Sequence, residues 1–316
     1  ELPEEIVDAH VHCFRAEDCQ RSGSVNPSLP WTTNSFGFRK CATVSSILWR
    51  GKRFRCVAFT SPAPESNTEA ANRWVAREAA KRAWASLAMI RPEWAADELG
   101  PVLVRNGHRG VKPYWSYVTQ KAQNDVLIED MIHPTVLGLL EKCGYVLLLH
   151  IPRARRLADP VNLQSLHRLC RRYRRLPVVL AHAGRSYGID QMPPRSELKK
   201  LAKHENLRIE LSMVQSPDVV RACLETFGWR RCLFGTDLPI ADVKGKVVTI
   251  NGQNLFITRR PYAWSVSPVS GAVKMRCTFF AYETVRAILA AARALRLRSS
   301  AREAIFRTNA ERLYFA

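Results

Sequence analysis

No apolar run in the chain approaches the roughly 18 residues that mark a membrane-spanning helix, and the N-terminal residues show no basic-then-apolar leader. The expectation is a cytoplasmic protein without a membrane partner. Paired cysteines are missing too. Cys13, Cys19, Cys41, Cys56, Cys143, Cys170, Cys223, Cys232 and Cys277 are odd in number and scattered, with no Cys-x-x-Cys among them, which argues against a disulfide framework and against a zinc knuckle. Acidic residues are few, 28 Asp and Glu against 48 Lys and Arg, for a formal charge of +20. Such a surface attracts polyanions through counterion release. No RNA-binding aromatic signature, zinc finger or helix-turn-helix accompanies the charge, however. Between 161 and 175, Leu163, Leu166, Cys170 and Tyr173 follow a helical apolar stripe while Arg168, Arg171, Arg172 and Arg175 fall on another side, the pattern of a solvated outer helix. Nucleic acid is not expected as the partner. A glycine-rich phosphate turn after the first strand is also lacking, which disfavours an open doubly wound sheet.

What the chain does have is a repeat of short apolar runs. With 316 residues, 47% of them hydrophobic, it can bury one large core, and no shift in composition marks a linker, so 1–316 reads as one domain. Strands are expected near 5–12, 54–60, 85–90, 108–113, 145–150, 177–182, 206–212 and 231–236. Helical patterns separate most of them, near 67–82, 92–105, 130–143, 161–174, 195–204 and 216–227, with further helix at 278–294 and at the C-terminus. Capping boxes are expected at Ser66 with Glu69 and at Ser300 with Glu303. Strands alternating with helices give an α/β fold, a distorted (β/α)8 barrel. Two long insertions interrupt it. Residues 13–53 contain no long helical pattern, and 238–277 contain a predicted hairpin turning at Asn251-Gly252. Both leave the same end of the barrel and are read as a lid or pocket walls, with Trp31, Tyr262 and Trp264 as candidate substrate contacts.

The chemistry-bearing residues sit where such a barrel places its active site. His10 and His12 are two apart on a strand and therefore point the same way. Tyr145-Val-Leu-Leu-Leu-His150, Pro177-Val-Val-Leu-Ala-His182 and Arg231-Cys-Leu-Phe-Gly-Thr-Asp237 are each an apolar run that ends in a residue able to bind metal or move a proton. Four strands thus deliver four histidines and an aspartate to their C-terminal ends, the functional end of a (β/α)8 barrel. Imidazole nitrogens with one carboxylate suit zinc. Alternation turns Cys13 to the other side of its strand. His108, His133, His167 and His204 fall outside the constellation and are read as structural.

Asp8-Ala-His10-Val-His12, Gly110-Val-Lys-Pro113, Leu149-His150, Leu180-Ala-His-Ala-Gly184, Phe234-Gly-Thr-Asp-Leu-Pro239 and Asn309-Ala-Glu-Arg-Leu313 follow one another over almost the whole length. In that order they resemble the amidohydrolase superfamily, in particular the branch that includes amino-carboxymuconate-semialdehyde decarboxylase, resorcylate decarboxylases and related lactonases and hydrolases. The resemblance implies that His10, His12, His150 and Asp237 bind one divalent ion, most simply zinc, and that His182 is the acid/base residue. Asp237 would also accept a proton from a metal-activated water. Some branches carry a carboxylated lysine after the fourth strand that bridges two metals, and Lys112 holds a comparable place. The branch most resembled works with one metal, so Lys112 is expected as a charged substrate contact. Arg153 and Arg185, three residues beyond His150 and His182, would make the pocket mouth cationic and hold a carboxylate, unless they pair with Asp159 or Glu210. The expected function is metal-dependent hydrolysis of a small anionic substrate. The alternative is nonoxidative decarboxylation at the same site, and behind it a non-catalytic metal-binding barrel or a basic nucleic-acid binder. Homo-oligomerisation is compatible with all of these.

Overall fold

A computed structural model of the chain describes residues 1–19, 33–267 and 276–316. Strands β1 (Glu5–His12), β2 (Arg53–Phe59), β3 (Ala85–Ser86), β4 (Ala88–Ile90), β5 (Gly110–Pro113), β6 (Val146–Leu149), β7 (Val178–Leu180), β8 (Leu207–Glu210) and β9 (Cys232–Leu233) lie side by side in chain order, every pairing parallel. β3 and β4 are halves of one barrel strand that changes partner at Leu87. There Leu87 N donates to Ala58 O at 3.0 Å, and Arg109 N to Ser86 O at 2.8 Å. The seam between β9 and β1 is not a regular ladder. It is joined by single bonds from Ala9 N to Phe234 O (3.0 Å), Asp237 N to His10 O (2.8 Å) and His12 N to Leu238 O (2.8 Å). This is a (β/α)8 barrel, distorted at that seam.

The short apolar runs form strands because both of their faces are buried. Val7, Ala9, Val57, Phe59, Leu87, Met89, Val146, Leu148, Val179, Ala181 and Leu233 fill the barrel interior with Tyr314. Alternate residues such as Ile6, Cys56, Ala58, Leu147, Leu149, Val178 and Leu180 pack outward under the helices. One irregularity bears directly on the site. The β1–β2 register slips between Asp8 and Val11, so the inward set changes parity along β1. Val7 and Ala9 face the interior near its start, whereas Val11 and Cys13 pack in the outer cluster. His10 and His12 thereby come to share the inner face, and Cys13 turns away as expected. A bulge of this kind re-aims side chains next to a site.

Helices Thr68–Ala80, Ala96–Asn106, Pro134–Cys143, Pro160–Arg172, Arg195–Ala202, Pro217–Phe227 and Phe280–Ala294 surround the strands. Three of them open on proline, whose missing N–H costs nothing at a helix start. Both predicted capping boxes are corrected. Asn67, not Ser66, caps its helix, its Oδ1 accepting from Ala70 N at 2.9 Å. The later helix begins at Ser299 after the extended Arg298, which leaves Ser300 inside the first turn. A helix absent from the sequence reading spans Phe38–Leu48 in the first insertion. Its inward side is Phe38, Cys41, Val44, Ser45 and Leu48, and the helix also carries Thr43 and Ser46, residue types that favour other conformations. Near the C-terminus, a π-helical turn at Ala304–Thr308 accompanies a bond from Phe234 N to Ile305 O at 2.9 Å, and Asn309 Nδ2 donates to Trp229 O and Cys232 O at 2.8 Å each. These bonds tie the last helix to the barrel beside its irregular seam.

The second insertion carries the predicted hairpin, β10 (Gly245–Ile250) paired with β11 (Gln253–Thr258). Its turn has φ 51° at Asn251 and 74° at Gly252, the left-handed pair that a two-residue hairpin turn requires. Gln191 Nε2 donates to Gly252 O at 2.8 Å, Gly252 N to Asp190 Oδ2 at 2.7 Å and Val247 N to Gln215 Oε1 at 2.8 Å. The hairpin is thus pinned at tip and base. Among the described residues no helix is long and apolar enough to cross a membrane.

Two outcomes follow for stability. A Cβ on Gly110 would stand 2.0 Å from Val146 O on the neighbouring strand, so Gly110→Ala should cost at least about 1–3 kcal/mol, seen as a lower urea midpoint at unchanged slope. Buried His108, beside Ser86 Oγ at 2.9 Å, is pushed from 6.5 down to about 4 by desolvation. The unfolded chain therefore takes up this proton first. The stability at stake is whole above about pH 6.5 and is lost as pH falls toward 4, up to about 3 kcal/mol. The gap in urea midpoint between wild type and His108→Gln should shrink over that window, and a pH-independent gap would exonerate His108.

Candidate metal centre

The inward face of β1 presents His10 and His12, both buried. Each ring is fixed through Nδ1. His12 Nδ1 donates to Thr60 O at 2.8 Å, and His10 Nδ1 to Glu210 Oε2 at 2.9 Å. Because a carbonyl and a carboxylate only accept, both Nε2 atoms carry lone pairs. Those lone pairs lie 3.4 Å (His10) and 3.5 Å (His12) from Asp237 Oδ1. Two ligands about 2.1 Å from a common tetrahedral ion stand about 3.4 Å apart, so both separations have the span of a shared ion. Asp237 Oδ1 is buried and receives no hydrogen bond. A buried acceptor in that condition is costly unless a cation meets it, and the donor set therefore fits a divalent metal.

Beyond β7 the chain turns sharply, with φ of 55° at His182, 51° at Ala183, 65° at Gly184 and 60° at Arg185. This turn points His182 back over the barrel. Its Nδ1 donates to Ser212 O at 3.1 Å, with Ser212 Oγ also at 2.8 Å, while its Nε2 stands 3.9 Å from Asp237 Oδ2. His10, His182 and Asp237 form a group whose ligand atoms lie within 4.8 Å of one another. His182, expected as the acid/base residue, is thus as close to the centre as the expected ligands. His150 stands further out. Its ring stacks on Tyr114 at 4.5 Å and meets His182 at 5.3 Å between centroids, and its buried Nδ1 has no hydrogen-bond partner. Lys112 is fully buried, with Nζ 2.6 Å from His10 Nε2 and 3.8 Å from the centroid of Phe59. It reaches the centre itself.

Burial sets the protonation of these groups. Desolvation holds His10, His12 and His150 well below the usual imidazole value and His182 at about 4, so all four are neutral, the form that binds metal or accepts a proton. It also brings Lys112 down to about 7, against the opposing pull of Asp237 and Glu210. The Asp237 carboxyl is raised by desolvation, with Lys112 acting the other way.

A cavity of about 260 Å³ opens above the centre, lined by His12, Lys112, His150, His182 and Asp237 at its floor and by Tyr114, Trp115, Tyr187, Phe256 and Trp264 at its sides. Arg185 lines it as expected. Arg153 does not, because its guanidinium turns to Asp159 at 3.1 Å, and Arg156 stands on the wall instead. Trp264 faces the cavity, whereas Tyr262 stacks behind it at 5.0 Å and borders a separate cavity with Lys40 and Arg259. Trp31 lies outside the described residues. Positive φ also occurs at Arg153, Arg156, Met213 and Asp237, so backbone strain is concentrated at this rim, as is common where a site must be held in one geometry. Glu210 and Ser212 went unnoticed in the sequence as site residues, although Leu207–Glu210 is another apolar strand ending in a carboxylate. Arg156 could not have been singled out among its arginine neighbours.

The family model described as Amidohydrolase matches residues 7–316. Among solved structures, an amidohydrolase from Burkholderia multivorans with bound zinc superposes with a TM-score of 0.64 at 16% identity, over 98% of this chain and 99% of that one. A Pseudomonas putida protein designated a candidate 2-pyrone-4,6-dicarboxylic acid hydrolase gives 0.58 at 16% identity, over 99% and 98%. A 5-carboxyvanillate decarboxylase from Novosphingobium aromaticivorans, with bound manganese and 3-methoxy-4-hydroxy-5-nitrobenzoic acid, gives 0.58 at 14% identity, over 98% and 97%. No curated protein matches the sequence. With the family model spanning nearly the whole chain and the histidines and aspartate of its motifs gathered at one end of a (β/α)8 barrel, the protein belongs to the amidohydrolase family.

Proposed function

We propose that the protein is a metal-dependent hydrolase of small carboxylate-bearing molecules. The observation that carries this reading is the buried, undonated Asp237 Oδ1, facing the Nε2 lone pairs of His10 and His12 beneath a cavity with Arg156 and Arg185 on its wall. His10, His12 and Asp237 would hold one divalent ion, with His150 on its outer side. The ion, when bound, supplies Lewis acidity toward a substrate oxygen and lowers the pKa of a nearby water. His182 Nε2, neutral and fixed through Nδ1, takes the proton from the attacking water and returns it to the leaving oxygen or nitrogen. Arg156 and Arg185 bind the substrate carboxylate, and Lys112, when protonated, adds a positive charge at the floor. The partner on this reading is a small anion and not a nucleic acid.

Nonoxidative decarboxylation is the second reading, favoured by the five aromatic side chains around the cavity. They suit a planar aromatic acid, as a decarboxylase with this fold binds a nitrobenzoic acid. There the bond to the carboxyl carbon breaks, CO₂ leaves, and His182 helps deliver a proton to the ring carbon.

Protein stripped with a chelator and reloaded with zinc or manganese should recover turnover on one member of a panel of lactones, amides and aromatic acids. Acid release assigns hydrolysis and CO₂ release assigns decarboxylation; no turnover in the reloaded protein would defeat both. One ion per chain is expected by metal analysis, and two ions, with a mass increase of one CO₂ on Lys112, would make Lys112 a bridging ligand. Arg156→Met should raise KM by about 10-fold or more for an anionic substrate while leaving a neutral analogue little changed, since a charge-assisted bond to a carboxylate contributes about 1.5–3 kcal/mol.

A further inference from the structure

Glu210, at the end of β8, is fully buried and receives bonds from His10 on β1, from His182 after the neighbouring β7 and from Ser212 just beyond its own strand. Its Oε2 accepts from His10 Nδ1 at 2.9 Å, from His182 N at 3.2 Å and from Ser212 Oγ at 2.8 Å, while its Oε1 accepts from Ser212 N. To reach His10 the side chain must pass over β9, and the residue it passes is Gly235. A Cβ there would lie 2.3 Å from Glu210 Oε1 and 2.9 Å from His10 Cβ. With four bonds already fixing it, the carboxylate has no room to yield, so a glycine is needed at 235.

We propose that Glu210 is a positioning residue that sets the tautomers and orientations of His10 and His182 together, making metal capture and proton transfer depend on one carboxylate. Toward His10 the coupling is direct. Accepting the Nδ1 proton leaves the Nε2 lone pair facing Asp237. Toward His182 it runs through the backbone N–H, which holds the strained turn after β7, and through Ser212. The Ser212 hydroxyl donates its proton to Glu210, so its oxygen presents only lone pairs to His182, and together with Ser212 O it demands a proton on His182 Nδ1. Both rings are thereby held as the Nδ1–H form, with the Nε2 lone pairs turned to the centre, where that of His10 faces Lys112 Nζ at 2.6 Å. Such outer partners of metal-binding histidines change metal affinity by about 10–100-fold when removed. The inference rests on the proposed metal-dependent reading for its consequence, but the tautomer claim stands on hydrogen bonds alone.

The amide in Glu210→Gln offers one acceptor oxygen and a donor where two acceptors are needed. Full-length variants are titrated with zinc against a competing chelator, and long-range ¹H–¹⁵N spectra of histidine-labelled protein read the ring tautomers without metal. Glu210→Gln should bind zinc about 10–100-fold more weakly and lose the fixed Nδ1–H signal of His10. Glu210→Asp, which keeps the charge but shortens the reach, should show the same two changes and serves if the glutamine variant does not fold. Ser212→Ala keeps the bond to His10, so it should leave zinc affinity within about 3-fold while altering the His182 signal only. Unchanged zinc affinity and unchanged His10 tautomer in both Glu210 variants would overturn the proposal, as would a Ser212→Ala loss equal to theirs. Wild-type protein that binds no zinc would instead count against the proposed function, with the tautomer spectra still deciding the role of Glu210.

Discussion

A carboxylate oxygen buried without a hydrogen-bond donor is the constraint on which this site depends. Asp237 Oδ1 has lost water and gained no N–H in return, a condition that costs free energy unless positive charge is brought to it. The surroundings are arranged to that end. The two imidazoles nearest to Oδ1 present lone pairs rather than protons, because Thr60 O and Glu210 take their Nδ1 hydrogens. Had the rings carried protons on Nε2, they would have satisfied the aspartate themselves and left nothing for an ion to do. On the proposed reading, metal capture is a matter of withholding donors as much as of supplying ligands.

That arrangement needs backbone geometry that regular strands do not provide. The register slip in β1 brings two histidines to the inner face just where the strand meets the irregular seam. At the same seam Asp237 N bonds His10 O and His12 N bonds Leu238 O, so ligands from the first and last strands are held by the contacts that close the barrel. Positive φ at His182 and Asp237 adds local strain, which the surrounding packing and hydrogen bonds offset. Rigidity and function share the same bonds, and the distortion of the barrel at this point is a condition of the site.

Above the floor, one part of the wall is built from segments that follow β5, β6 and β7, and another from outside the repeat. The hairpin of the second insertion supplies Asn254 and Phe256, and the segment after it supplies Trp264. Pinned at tip and base, it forms a fixed wall. The floor is polar and the sides are aromatic, with Arg156 and Arg185 on the wall, and it is on this lining that the proposed flat anionic substrate rests.

Much of this was legible in the sequence, and the limits have physical causes. Strands buried on both faces must be short and apolar, so all the barrel strands could be placed from composition alone, and chain order in a parallel barrel puts their C-terminal ends together. For that reason the meeting of His10, His12, His150, His182 and Asp237 at one rim could be expected, as could the hairpin, since Asn251-Gly252 is chemistry for left-handed φ. Which arginine faces the cavity was not legible, because Arg153 and Arg156 sit in an aperiodic turn with φ of 65° and 55° and only Asp159 decides between them. The helix at Phe38–Leu48 was hidden by Thr43, Ser45 and Ser46, which are weak helix formers. Nor could Glu210 be recognised, since its partner His10 lies 200 residues away. The sequence by itself determined the barrel and the imidazole and carboxylate side chains gathered at one end of it, because burial and strand periodicity are local in the chain. Tertiary structure alone decided which nitrogens carry protons, which oxygen goes unsatisfied and which side chains line the pocket, because those depend on hydrogen bonds between strand ends remote from one another.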